Sequence, residues 1–282
     1  MTVQTHSGAL LEGFRIVAIA VNLPGPLAAA RLRALGASVM KIEPLRGDPL
    51  ADAAPAWYEQ IVAGMEIVQF DLHAPEAKAL VDERLRDADL LLTAMRPRAL
   101  ENIELDWPAL QTRYRQLCSV ALIGEPAPDD ERPGHDLTYQ ARAGTIVPPA
   151  LPRVLVGDMA AAERTATVAL ALLLQRERTG KAGFATVAIT DVARDFAAPY
   201  VHGLTQDGGV LGGGLPAYGI YPAREGWVAV AALEPHFAQR LQAMLGIERL
   251  DVELIRAAFA QRPAQEWEVL AQHHDLPLAA VR

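Results

Sequence analysis

The sequence predicts an α/β protein: a doubly wound domain built on a parallel sheet, followed by a smaller α+β domain. Short apolar, β-branched runs alternate with helix-length segments over roughly the first 125 residues. Turns bearing Pro or Gly stand where strand gives way to helix. A Gly-rich stretch, DGGVLGGGLP, then separates this pattern from a hairpin pattern, so the expected domains are 1–205 and 206–282.

The first run, FRIVAIAV from Phe14 to Val21, reads as a buried strand. NLPGP turns the chain, and LAAARLRALG has the composition of a helix that stops at Gly36. SVMKIEP is the next strand and completes a βαβ unit, which implies parallel strands and a right-handed crossover. The pattern repeats as EIVQFDL, a helix over about Pro75 to Arg86, and DLLLTAM. A helix around Trp107 to Arg115 leads into QLCSVALIG, and GEPAPDDERPG is a polar, Pro-rich loop. One long helix is expected from Met159 to Arg178, ended by TGKAG and followed by the strand FATVAIT. Beyond the Gly-rich stretch, GIYPAREGWVAVAAL reads as a hairpin turning at Arg224 to Gly226, and the remainder reads as helical.

Composition narrows the function classes. The chain has 282 residues, 51% hydrophobic and 21% charged, which is the balance of a globular protein with a sizeable core. A net charge of −8 gives no reason to expect a nucleic-acid partner. The single cysteine, Cys118, excludes an intramolecular disulfide framework and a cysteine zinc cluster, and fits a reducing compartment. The opening MTVQTHSGALLEG shows no basic region followed by an apolar stretch, so no signal peptide is expected. The longest apolar run lies within Thr165 to Leu174 and is too short to span a bilayer. A cytoplasmic location is therefore expected. No G-x-G-x-x-G follows the first strand, which discounts an NAD-dependent enzyme.

Four residues could carry chemistry. Asp158 stands just ahead of the long helix, where an Asp ordinarily caps free backbone N–H groups. The same place sets a carboxylate beside the positive end of a helix and near donors suited to an oxyanion. His135 and Asp136 lie between a polar loop and a helix; Asp136 either caps LTYQARAG or orients the imidazole. Glu234 falls where a strand meets a helix, with Pro235 suited to the first turn. His273 and His274 have no metal-ligand partner at helical spacing and read as solvated surface; no metal site is expected.

With these segments in place, the chain resembles the class III CoA-transferase family, which includes carnitine CoA-transferases and α-methylacyl-CoA racemases. The resemblance is carried by LEGFRIVAIAVNLPGPLAAARLRALGASVMKIEPLRGDP, ADLLLTAMRP, GHDLTYQARAG, VGDMAAA, LLLQRERTGKAG and LPAYGIYPAREGWVAVAALEPHF, in family order over nearly the whole chain. It implies a Rossmann-like large domain plus a small domain, paired as an interlocked homodimer or in a heteromer. It further implies coenzyme A thioesters as substrates, with a free carboxylic acid as a second substrate in the transferase branch, and no covalently bound cofactor. By motif, Asp158 matches the family's catalytic Asp, His135 the racemase His, and Glu234 a further racemase acid. Leu23, Pro24 and Asp136 are expected to contact CoA, with Lys41, Arg46, Arg96 and Arg98 as cations expected to supply compensating charge for its phosphates.

Two branches follow. In the transferases the carboxylate attacks the thioester carbonyl. In the racemases a carboxylate and a His exchange the α proton on opposite faces, a task suited to an imidazole titrating near neutrality. The pattern also departs from the family: Met65 and Glu66 stand where a basic stretch resembling N-R-G-K-R-S contacts CoA phosphates, and R-P-G becomes R-P-R at Arg98. After HHDLPLAAVR, where other members continue, this chain stops. A third reading, a non-catalytic or partner-dependent subunit with weakened CoA binding, rests on these departures.

Overall fold

The structure, a computed structural model, describes residues 9–282. Residues 1–8, part of the stretch read above for a leader, lie outside that range. The chain divides into two compact units, one ending at Ala197 and one spanning Ala198–Arg282.

The first unit is built on β1 (Arg15–Ile19), β2 (Ser38–Glu43), β3 (Glu66–Gln69), β4 (Leu90–Thr93), β5 (Cys118–Ile123) and β6 (Phe184–Ala188). They form one sheet in the order β3-β2-β1-β4-β5-β6, parallel at every pairing. Every residue of β4 and β5 is buried, as a sheet covered on both faces requires. The two faces divide by strand periodicity. Ile16 and Ala18 join Leu32, Leu90, Leu92 and Leu173 under the helices Pro24–Ala34 and Val156–Thr179. Val17 and Ile19 join Ile42, Val81, Leu85 and Leu91 under the helix Pro75–Arg86.

Strand order reverses between β1 and β4, because the chain first winds outward from β1 through β2 to β3 and then returns to β4 on the other side. The loops leaving β1 and β4 part there, opening a crevice at the carboxyl ends of the strands.

In the second unit β7 (Tyr218–Pro222) and β8 (Trp227–Ala231) form the expected hairpin. The remainder is not wholly helical. After the helices Pro235–Leu245, Val252–Phe259 and Ala264–His273, β9 (Leu278–Ala280) pairs antiparallel with β8. Alternate burial of Val228 and Val230 on β8 sets this sheet over Phe259 and Trp267. The Trp267 indole N–H donates to the Phe259 carbonyl at 2.9 Å. Its ring meets that of Phe259 edge-on at 5.3 Å. No helix among the described residues is long and apolar enough to cross a membrane.

Leu92 lies fully buried in β4 beside the crevice. Leu92→Ala is expected to lower stability by about 2–5 kcal/mol, seen as a lower urea midpoint at unchanged slope. An unshifted midpoint would contradict this account of the core.

Candidate active site

Two adjacent cavities open at the strand reversal. The first, about 270 Å³, is lined by residues following β1 and β4 (Asn22, Pro24, Arg96) and by Arg132, His135, Tyr139 and Asp158. The second, about 430 Å³, lies over the ends of β1 to β4 and shares Val21, Ala94 and Met95 with the first. Its lining is mostly apolar, including Leu45, Phe70 and Leu72, with Arg46 and His73 as its basic side chains.

His135 and Asp158 therefore face one cleft, although 23 positions separate them (158 − 135). Asp158 does not cap the long helix, which begins at Val156; Leu155 is its N-cap and gives no side-chain bond. Instead Asp158 sits within the first turn, and its backbone N–H donates to Asp136 Oδ1 at 2.9 Å. Asp136 is the cap, supplied from a separate segment. It is buried, and its Oδ2 accepts from the Gln140 amide one turn along the helix Asp136–Ala143. The same Gln140 amide donates to the Val154 carbonyl at 2.9 Å, tying the loop ahead of the long helix to this helix. Gly157 makes the approach possible, since a Cβ there would stand 2.9 Å from Asp136 Oδ1 and 3.3 Å from Ile189 Cγ2.

Neither alternative for Asp136 survives unchanged. Its carboxylate bonds to Asp158 N–H and Gln140, not to the imidazole, and its burial leaves it a support beneath the cleft, not a CoA contact. His135 is held through its backbone: its N–H donates to Thr138 Oγ1 at 3.1 Å, and the Thr138 hydroxyl donates back to the His135 carbonyl at 2.8 Å. The imidazole itself is exposed.

Burial pushes the Asp158 carboxyl up to about 7, and the like charge of Asp136 adds to the shift. Near neutral pH both forms are populated, which suits a group that must gain and lose a proton or attack as an anion. Tyr139 stands four residues after His135, and its side chain is almost wholly enclosed. Its ring fills the space beside Gly124, where a Cβ would lie 2.3 Å from the phenolic oxygen. Burial first, then the negative charges of Asp158 and Glu125, push its phenol up. It thus stays a neutral hydroxyl in the cleft wall.

The CoA-side positions scatter. Pro24 and Arg96 line the first cavity and Arg46 the second. Leu23 is buried as the residue preceding the helix Pro24–Ala34. Arg98 is exposed, its backbone N–H donating to Glu131 at 2.8 Å, and it lines neither cavity. Lys41 cannot serve as a phosphate cation: it is 0% exposed and its ammonium lies between Glu43 and Asp48. Glu66 begins β3 and lines a hollow with Arg15 and Ser38, at the strands' opposite ends from the cleft. Glu234 lies exposed in the second unit, ahead of the helix Pro235–Leu245. His273 and His274 are exposed, as surface residues should be.

Tyr139, Arg132 and Asn22 go beyond the sequence reading. Tyr139 falls one helical turn from His135, a spacing that the sequence does carry. Arg132 and Asn22 stand in loops, where no periodicity announces a shared cleft.

The family whose sequence model matches this chain is CoA-transferase family III, over residues 11–282. A probable fatty acyl-CoA transferase of Mycobacterium tuberculosis is 33% identical over 202 residues, covering 65% of this chain and 51% of that protein. A succinyl-CoA–D-citramalate CoA-transferase of Chloroflexus aurantiacus is 25% identical, covering 84% of this chain and 65% of that one. The chain thus spans about half the length of the first relative. Among solved structures, a hypothetical protein of M. tuberculosis superposes with a TM-score of 0.84 at 27% identity, covering 96% of this chain and 85% of that chain.

The raised Asp158 carboxyl fixes the sign of a pH effect. An acid that binds its proton more tightly when folded stabilises the fold fully below its unfolded value, and that stability is lost as pH rises through about 7. Urea titrations from pH 4 to pH 8 should show stability declining across this window, with the decline flattened in Asp158→Asn. Equal slopes in both proteins would refute the assignment.

Proposed function

The chain belongs to CoA-transferase family III, and on that premise we propose that it moves coenzyme A between carboxylic acids with Asp158 as the nucleophile. The observation that carries this reading is the Asp158 carboxyl, half-buried at the first turn of a helix and facing a cleft that shares Val21, Ala94 and Met95 with a larger, mostly apolar cavity. The larger cavity suits the nucleotide end of CoA. Its apolar walls favour an adenine ring, and Arg46 and His73 supply the basic groups for phosphates. Arg96 and Arg132 line the cleft itself, where they suit a pyrophosphate or a carboxylate substrate.

In the proposed cycle an ionised Asp158 oxygen attacks the thioester carbonyl carbon, the C–S bond breaks, and CoA thiolate leaves a mixed anhydride. The thiolate then attacks the Asp158 carbonyl carbon, which releases the donor acid and leaves CoA as a thioester on Asp158. An acceptor carboxylate repeats both steps in reverse order, restoring the free Asp158 and a new acyl-CoA. The positive end of the long helix favours the oxyanion formed in each attack. The homodimer or heteromer implied by the resemblance belongs to the same proposal. One relative's name describes it as an alpha subunit of a succinyl-CoA–L-malate CoA-transferase.

A second reading is α-proton exchange between His135 and Asp158, and their shared cleft favours it. Supplying succinyl-CoA with a panel of free acids tests the first reading. New acyl-CoA should form, and Asp158→Asn should reduce the rate by about four orders of magnitude. His135→Ala should leave most transfer intact. Incubation of a 2-methylacyl-CoA in D₂O tests the second: α-deuterium incorporation lost about 10²–10⁴-fold in His135→Ala would establish it. Neither transfer nor exchange across such panels would leave the non-catalytic subunit standing.

A further inference from the structure

Asp48 lines neither cavity, yet it holds a wall of the catalytic cleft. Its Oδ1 accepts the backbone N–H of Asn22 at 2.8 Å and that of Leu50 at 2.9 Å. Its Oδ2 receives the Lys41 ammonium at 2.7 Å. Lys41 also donates to Glu43, which accepts from the Tyr58 hydroxyl and from the Gln69 amide. Burial alone would raise the Glu43 carboxyl, but the hydrogen bonds from Lys41, Tyr58 and Gln69 bring it below its ordinary value.

Asn22 has φ of +67°, the left-handed region that side-chain-bearing residues rarely adopt, and it lines the Asp158 cleft together with Pro24. A buried ion cluster is a poor stability device, since well-packed apolar side chains serve as well or better. An apolar side chain at position 48 could not accept the Asn22 N–H, however. A charge-assisted hydrogen bond can hold a backbone in an uncommon conformation, and the Lys41 ammonium fixes the carboxylate that makes it.

We propose that Asp48, locked by Lys41, is a positioning residue that keeps Asn22 left-handed and so sets the Val21–Pro24 wall against which an acyl-CoA is seated before Asp158. The inference rests on the acyl-CoA reading given above and adds to it a residue that touches no substrate.

The test uses the full chain, with acetyl-CoA as probe in calorimetry and hydrogen exchange followed at the Asn22 amide. Asp48→Ala should speed exchange at Asn22 and weaken acetyl-CoA binding about tenfold. Adding Asn22→Gly to that variant should restore binding to within about threefold of wild type, because glycine needs no restraint to stay left-handed. A merely structural Asp48 would lower the melting temperature without this rescue, and that result overturns the proposal. If Asp48→Ala does not fold, Asn22→Val decides. It leaves the ion cluster intact, disfavours the left-handed conformation, and should weaken binding as strongly; unchanged binding overturns the proposal. Wild-type protein that binds no acetyl-CoA overturns both this inference and the acyl-CoA reading. Wild-type binding matched by every variant overturns this inference alone.

Discussion

The hydrogen bond from the Asp158 amide to the buried Asp136 carboxylate is the constraint on which the site depends. It joins the start of one helix to the start of another. It thereby places two first-turn segments side by side, one carrying Asp158 and the other carrying His135 and Tyr139. Burial raises the Asp158 carboxyl most, and the like charge of Asp136 adds to that shift. One contact thus holds the Asp158 backbone in place and adds a like charge beside its half-buried carboxyl.

The sheet supplies the space for that chemistry. Its reversal between β1 and β4 parts the loops over the strand ends, and the two cavities fill the gap. Each wall then has its own support. Asp48 and Lys41 hold the loop after β1, while the Arg142–Glu125 ion pair ties the His135 helix to the residues just after β5. The cleft's polar groups stand on loops and helix starts, and the carboxylates that hold those segments, Asp48, Glu125 and Asp136, are buried.

Much of the fold is legible in the sequence, for a physical reason. Strands buried on both faces must be continuous apolar runs, and LLLT in β4 and CSVALI in β5 are such runs. β9 is different. LAA is too short to carry a period, and it becomes a strand only because β8 offers an unpaired edge. Asp158 and His135 are likewise legible as residue types in suggestive places, but their roles are decided by tertiary partners. Sequence position makes Asp158 a cap; the structure gives that duty to Asp136, 22 residues away. Lys41 looks like a free cation beside a carboxylate, and only the folded chain shows it enclosed by two. Glu66 looks like a misplaced charge until the strand direction puts it at the far end of the sheet. Long-range pairing and strand polarity determine these outcomes, and neither leaves a local mark on the chain.

The central claim is that Asp158 forms a covalent bond to the substrate. Peptide mass mapping after brief incubation with an acyl-CoA, quenched with hydroxylamine, tests it most directly. A hydroxamate on the peptide carrying Asp158, absent without acyl-CoA, is the predicted result. An unmodified Asp158 under conditions in which CoA transfer is proceeding would contradict the account.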